Sequence, residues 1–272
     1  MPNLRKPAVA GLFYPADKNK LIDELNLLLS ITDSHQEIKK VFGIVVPHAG
    51  YVYSGRTAAY AFNILKHQNI KNVIIISPSH REYFRGVSIY DGIGFDTPLG
   101  PVLINKDKAD KLVEGSDVIF KSTKGHNNEH AIEVQIPFLQ SVLNDFKIIP
   151  VVMGDQKKMY VDALAEKLLT IMDDETIITA SSDLSHYYSK DVASEMDSLV
   201  EEGIKNFDIE NLRQNFEMRN CEACGEGAIL TLMKAASLAG IKKSMILNRS
   251  DSGDTTGSDE EVVGYLSAIF YE

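Results

Sequence analysis

The chain has 272 residues, 44% apolar and 24% charged, which suits a globular protein with a core large enough to need no disulfide staples. Its 28 basic against 38 acidic residues leave a net charge of −10, which argues against nucleic acid or an anionic membrane as the main partner. No apolar run reaches the roughly 20 residues that span a bilayer, the N-terminal stretch does not read as a secretory signal, and two cysteines without such a signal suggest a reducing cytoplasm.

In chain order, VFGIVV around 42–46 is a continuous apolar run, as expected of a strand buried on both faces. Gly50 and Gly55 mark a turn, and Arg56 to His67 carries Ala59, Phe62, Ile64 and Leu65 at roughly helical spacing. NVIIIS (72–77) is the next buried strand, so this stretch reads as one βαβ unit. Residues 87–104 read as short strands around a Gly/Pro loop. A helix is predicted over 129–144, with Ile132, Ile136, Leu139 and Leu143 on one face. KIIPVVM (147–153) is another buried strand, 157–172 a helix, and TIITASS (176–182) a strand. Helices follow at about 190–206, 208–215 and 224–239, and MILNR and VVGYLSAIFY close the chain as strands. The polar segment 250–261 between those strands reads as a solvated loop; Asp251, Asp254 and Asp259 lack the spacing of an EF-hand. With no linker and near-continuous alternation, residues 1–272 form a single three-layer α/β/α domain. Its sheet is mostly parallel, with antiparallel edge strands.

Three of the buried strands run into a histidine. His48 follows VFGIVVP, His80 follows NVIIISPS, and His186 follows TIITASSDLS. Ligands bind at the carboxyl ends of strands in open α/β sheets, and neutral imidazole is the commonest protein metal ligand. A right-handed crossover would set His48 and His80 at one edge of neighbouring strands. Asp183 either orients the His186 ring or, with Ser182, caps a helix starting there. His130 opens the 129–144 helix with Glu133 at i+3, a spacing that either holds the imidazole or merely belongs to a solvated helix terminus. His35, His67 and His126 receive no role. Cys221 and Cys224 form a C-x-x-C at a late helix start; one is a third metal ligand or a buried structural cysteine. P-loop, G-x-G-x-x-G, G-x-S-x-G and H-E-x-x-H signatures are absent, which lowers nucleotide, serine-hydrolase and zincin readings.

Taken together, the blocks RKPAVAGLFYPAD, PHAGYVYSG, SPSH, EHAIEVQIPFL, SSDLSHY, CGEGAI and VVGYLSAIF resemble the Memo family across nearly the whole chain. Its prokaryotic members are called AmmeMemoRadiSam system protein B. The family is similar in fold to the class III extradiol dioxygenases, non-haem iron enzymes with a two-His, one-Glu site. The resemblance implies that His48 and His80 are metal ligands, and that Cys224 takes the place of the Glu. It further implies that His186 and His130 do acid/base work, with Asp183 beside them. A thiolate is softer than a carboxylate and favours copper, zinc or iron–thiolate binding. The expected cofactor is one transition-metal ion, iron or copper first and zinc as an alternative.

Three functions follow. The first is a metal-dependent, dioxygenase-like oxidoreductase acting on a small substrate or O₂. The second is a non-catalytic ligand- or phosphopeptide-binding, redox-signalling protein, for which Arg56, Arg81 or Arg85 would grip a phosphate. The third is a zinc hydrolase. The family's name implies radical-SAM and AMMECR-type partner proteins. This chain has no C-x-x-x-C-x-x-C of its own.

Overall fold

The computed structural model describes residues 4–30, 38 and 40–272; His35 lies outside them. In chain order the elements are β1 (Leu4–Arg5), α1 (Lys18–Ser30), β2 (Val41–Val46), α2 (Tyr51–Leu65), β3 (Asn72–Pro78), β4 (Val87–Tyr90), β5 (Gly94–Phe95), β6 (Val102–Leu103), α3 (Lys106–Val113) and β7 (Ile119–Ser122). There follow α4 (Gln135–Val142), β8 (Lys147–Met153), α5 (Lys158–Leu168), β9 (Thr176–Ser181), β10 (His186–Tyr188), α6 (Lys190–Lys205), α7 (Ile209–Glu217), α8 (Glu226–Leu238), β11 (Lys243–Asp251), α9 (Gly253–Thr256) and β12 (Val262–Tyr271).

The main sheet runs β10-β12-β2-β9-β3-β8-β4-β7, with β11 paired to β12; β1, β5 and β6 form a small second sheet. β2, β9, β3 and β8 are parallel neighbours, while β12 and β4 join antiparallel on either side. This is the mixed sheet the apolar runs predict. The order corrects one expectation, because β2 and β3 are not neighbours. β9 is buried along its whole length and pairs with both, so it separates the two histidine-bearing strands. The carboxyl end of β9 therefore lies between theirs.

Helices cover both faces. α1, α2 and α4 pack on one another, with α2 against β2; on the other face α8 packs against α5 and α7 and lies across β2, β9 and β3. In the first layer Phe62 stacks on Phe138 with centroids 4.8 Å apart. In the second, Leu232 of α8 lies so close over Gly43 that a Cβ there would stand 2.4 Å from its Cδ1.

Boundaries differ where polar groups intervene. α2 starts at Tyr51 rather than Arg56, since Gly55 is not a turn residue; it lies within the helix, and a Cβ there would meet Leu28 at 2.9 Å. The 129–144 helix shrinks to α4. Its first turn is replaced by irregular backbone because the Glu129 carboxylate takes the amides of His130 and Ala131. The polar segment 250–261 is not simply a loop. β11 runs to Asp251 and α9 follows, closed by Gly257 at φ +72. Lys190 reaches Asp251, Asp254 and Asp259 at 3.5, 3.0 and 3.7 Å, so an ammonium group satisfies the three aspartates. Among the described residues no helix is long and apolar enough to cross a membrane.

Candidate functional site

Four segments meet where β2, β9 and β3 end. His48 follows β2 and is 1% exposed. Its amide donates to Asp183 Oδ1 at 2.7 Å, and its Nδ1 lies 2.9 Å from Ser181 Oγ. Ser181 has one hydroxyl proton, and that proton goes to the Ala131 carbonyl at 2.7 Å, while Gln135 Nε2 donates to Ser181 Oγ at 2.8 Å. Ser181 can therefore only accept from His48. Nδ1 carries the ring proton and Nε2 keeps its lone pair. Burial, reinforced by the neighbouring His80, holds the His48 pKa well below the usual range.

His80 follows β3. Both its amide and its Nδ1 donate to Glu129, at 2.7 and 2.9 Å. Burial opposes ionisation of Glu129, but the His80 ring and the amides of His80 and Ala131 hold its pKa at about 2. An ionised carboxylate only accepts, so His80 too is protonated at Nδ1 and presents Nε2. A carboxylate behind an imidazole fixes its orientation and raises its basicity. The sequence reading offered Glu133 as partner to His130. Without a helix over 129–134 that spacing has no meaning, and Glu133 turns away to Arg5, Ala8, Val9 and Tyr14.

Cys224 sits just before α8. Its Sγ is 3.1 Å from His48 Nε2 and accepts the Asp183 amide at 3.2 Å. With the His48 lone pair fixed, the thiol proton points to it. Burial, then the Asp183 charge, pushes the thiol pKa well up. Gly225 makes this approach possible, because a Cβ there would stand 2.5 Å from the Ser181 carbonyl oxygen. Gln156 clamps the turn, donating to the Cys224 carbonyl and accepting the Gly227 amide, both at 2.8 Å. Cys221 is a free, buried thiol whose pKa burial pushes to about 12.

His186 lies on β10, not in a helix turn, and no helix is capped at Ser182 or Asp183. Its Nδ1 donates to the Leu184 carbonyl at 2.8 Å, so the backbone, not Asp183, orients the ring. A bulge in the pairing with β12 places Tyr187 at φ +64. Asp183 instead positions the His48 backbone, and burial raises its pKa. The His130 ring lies 4.7 Å from that of His80 and 5.3 Å from that of His48, with Phe13 edge-on at 5.0 Å. Its buried Nδ1 has no hydrogen-bond partner among the described residues, and lies 3.3 Å from Glu129 Oε1. Burial, then the His48 and His80 rings, lowers its pKa to about 4. His126 is buried elsewhere, its Nε2 donating to the Ser88 carbonyl.

The structure thus brings His48, His80, His130, Asp183, His186 and Cys224 to one place. A cleft of about 700 Å³ opens over the histidines and Asp183, walled by Leu12, Phe13 and Tyr265 and by Ser252 and Thr256 of the former loop. Of Arg56, Arg81 and Arg85, only Arg81 borders it. The sequence reading missed Glu129, Ser181, Gln135 and Arg5. EHAIEVQ held a signal, two acids and an amide flanking a histidine in an apolar run, but not which residue each would reach.

Donor atoms of His48, His80 and Cys224 lie within 4.8 Å of one another. Ligands of one tetrahedral ion at about 2.0 Å (N) and 2.3 Å (S) stand roughly 3.5 Å apart, so these residues fit a metal with small adjustments. His80, Glu129 and His130 also cluster, but the Glu129 oxygens are already taken by four N–H groups.

The family description "Memo-like protein" matches residues 5–269. The chain belongs to the Memo family. A MEMO1 family protein of Thermoplasma volcanium is 42% identical over 98% of both chains, and one of Thermoplasma acidophilum is 39% identical over 97% of this chain and 98% of its own. In structure the chain is similar to an uncharacterized protein of Escherichia coli K12, with a TM-score of 0.55 over 85% of this chain and 99% of that one. At 12% identity the likeness shows the fold alone.

Proposed function

We propose that this Memo-family chain is a metal-dependent oxidoreductase. His48, His80 and Cys224 would hold one iron or copper ion, and His130, His186 and Asp183 would serve a small organic substrate in the adjoining cleft. One observation carries the reading: two imidazoles, each held by a hydrogen bond on Nδ1, offer donor atoms within 4.8 Å of each other and of one sulfur. Such an ion would supply Lewis-acid and redox chemistry, with positions open beyond three protein ligands. The thiolate favours iron–thiolate or copper over a hard-oxygen site. The resemblance to extradiol dioxygenases in fold supports O₂ as a co-substrate, and the family's prokaryotic name supports radical-SAM and AMMECR-type partners.

The remaining groups have separable tasks. His130, with a pKa near 4, is neutral at pH 7 and accepts a proton rather than donating one. His186 holds its Nδ1 proton on Leu184 and offers Nε2 as a second acceptor. Asp183 keeps the His48 backbone in place, and Leu12, Phe13 and Tyr265 exclude water from the substrate.

The test is metal content after anaerobic purification, by mass spectrometry, for the wild type, His80→Ala and Cys224→Ala. Near-stoichiometric iron or copper that falls in both variants is expected. Protein that takes up none of Fe(II), Cu or Zn overturns the proposal and leaves a ligand-binding pocket, and uptake of zinc alone turns the reading to a hydrolase.

A further inference from the structure

The two kinds of ligand in the candidate site face different spaces. His48, His80, His130 and Asp183 border the large cleft, which Cys224 does not reach. Cys224 borders a second cleft of about 300 Å³, together with Cys221, Arg219, Glu222 and Glu226, and none of those other site residues lines it. His186 alone belongs to both walls. Phe216 and Glu226 also line a hollow of about 410 Å³ between α5, α7 and α8.

The small cleft is lined mostly by polar side chains, with charges of both signs. Arg219, Glu222 and Glu226 line it, and the Tyr188 hydroxyl donates to Glu222 at 2.7 Å. A volume at the bottom of the range for ligand pockets, about 300 Å³, excludes a large organic substrate. An anion would meet two carboxylates, Glu222 and Glu226, beside the single guanidinium of Arg219, and a cation would meet that guanidinium.

We infer that the site has two entrances, and that the sulfur-side cleft binds a small neutral polar molecule, of the size of hydrogen peroxide, and brings it to Cys224 and His186 while the large cleft is filled. The purpose of this arrangement rests on the proposed function. The entrance itself does not, since it is a property of the metal-free fold. It would let an organic substrate and a small co-reactant approach one centre without competing for one path.

The experiment labels Cys224 in metal-free protein carrying Cys221→Ser with methyl methanethiosulfonate, a small neutral reagent, and follows intact mass. Arg219→Trp and Ala223→Val narrow the small cleft; Val52→Trp and Thr256→Trp narrow the large one. Thermal unfolding shows which variants are folded, and each cleft has two. The first pair is expected to slow labelling about tenfold, as about 1.4 kcal/mol of added barrier would, and the second to leave it within about twofold. The wild-type rate is expected to saturate with reagent concentration, because binding precedes reaction. Slowing by the second pair and not the first overturns the proposal, as does equal labelling in all variants or a rate that never saturates. Because no metal is present, a protein that fails the metal-uptake test still gives a clear answer here.

Discussion

Glu129 and Glu133 are four residues apart, both buried, and both accept several hydrogen bonds, yet they do opposite work. Glu133 meets the Arg5 guanidinium at 2.8 Å, the Ala8 and Val9 amides at 2.7 and 2.9 Å, and the Tyr14 hydroxyl at 2.8 Å. Its charge is cancelled, and the result is a pinned N-terminal segment that holds Leu12 and Phe13 against the cleft. Among the described residues no Lys or Arg pairs with the Glu129 carboxylate. Its donors are the His80 ring and backbone amides, so its charge stays available to the imidazole behind which it sits. The partner, not the residue type, decides whether a buried carboxylate builds a wall or tunes a ligand.

The largest effect should come from Glu133→Ala. Removing one member of a buried ion pair leaves Arg5 uncompensated, at roughly 3–5 kcal/mol. Urea denaturation measures this, and a loss below about 1 kcal/mol would show that the clamp relaxes around water. Glu129→Gln should act on affinity, weakening metal binding by about 10–100-fold, as losses behind a ligating histidine do. Competition titration with a chromophoric chelator reads it, and an unchanged Kd would mean that Glu129 is as structural as its neighbour. Gly225→Ala tests the sulfur side without deleting a ligand. The added Cβ must push the Cys224 turn off the Ser181 carbonyl, so metal affinity should fall while His48 and His80 are intact.

Acid sharpens the contrast. The Glu129 pKa is lowered to about 2 from an ordinary 4.5, so its stabilisation is complete above pH 4.5 and disappears as pH falls toward 2. His126, buried behind the same segment, is lowered from 6.5 to about 3. Its contribution is complete above pH 6.5 and is lost as pH falls through that window. His126→Asn should therefore be most destabilising, relative to wild type, at pH 7 and progressively less so at pH 5 and 4. A difference that is constant with pH would remove His126 from the account. The smallest effect is expected from Lys190→Ala. Hydrogen exchange should quicken in 252–257 with little change in the unfolding midpoint, because exposed ion pairs contribute little.

The parts of the site readable from sequence are those that depend on neighbours in the chain. A buried strand announces itself by its apolar run, and the residue that ends it lies at the sheet edge. His48 and His80 were thus placed by VFGIVVP and NVIIISPS alone. The Cys224 ligand assignment came from the family resemblance, not from spacing, which left Cys221 and Cys224 equivalent. His186 was legible as the end of a strand run, but not the short β10 that carries it. α1 was not read, though Leu21, Leu25 and Leu29 mark its buried face. Glu129 and Glu133 were indistinguishable, because helical spacing favoured one and backbone hydrogen bonding abolished the helix.

The sequence by itself determined an α/β sheet of buried strands, histidines at their carboxyl ends and the Memo family. Only the tertiary structure decided that β9 separates the two histidine strands, that Ser181 and Glu129 set both ring tautomers, and that Cys224 borders a cleft that His48 and His80 do not reach. The physical reason is range. Hydrophobic period is a property of adjacent residues. A hydrogen bond from His48 to Ser181, or from Arg5 to Glu133, joins groups more than a hundred residues apart. Chain folding alone selects which donors reach which acceptors.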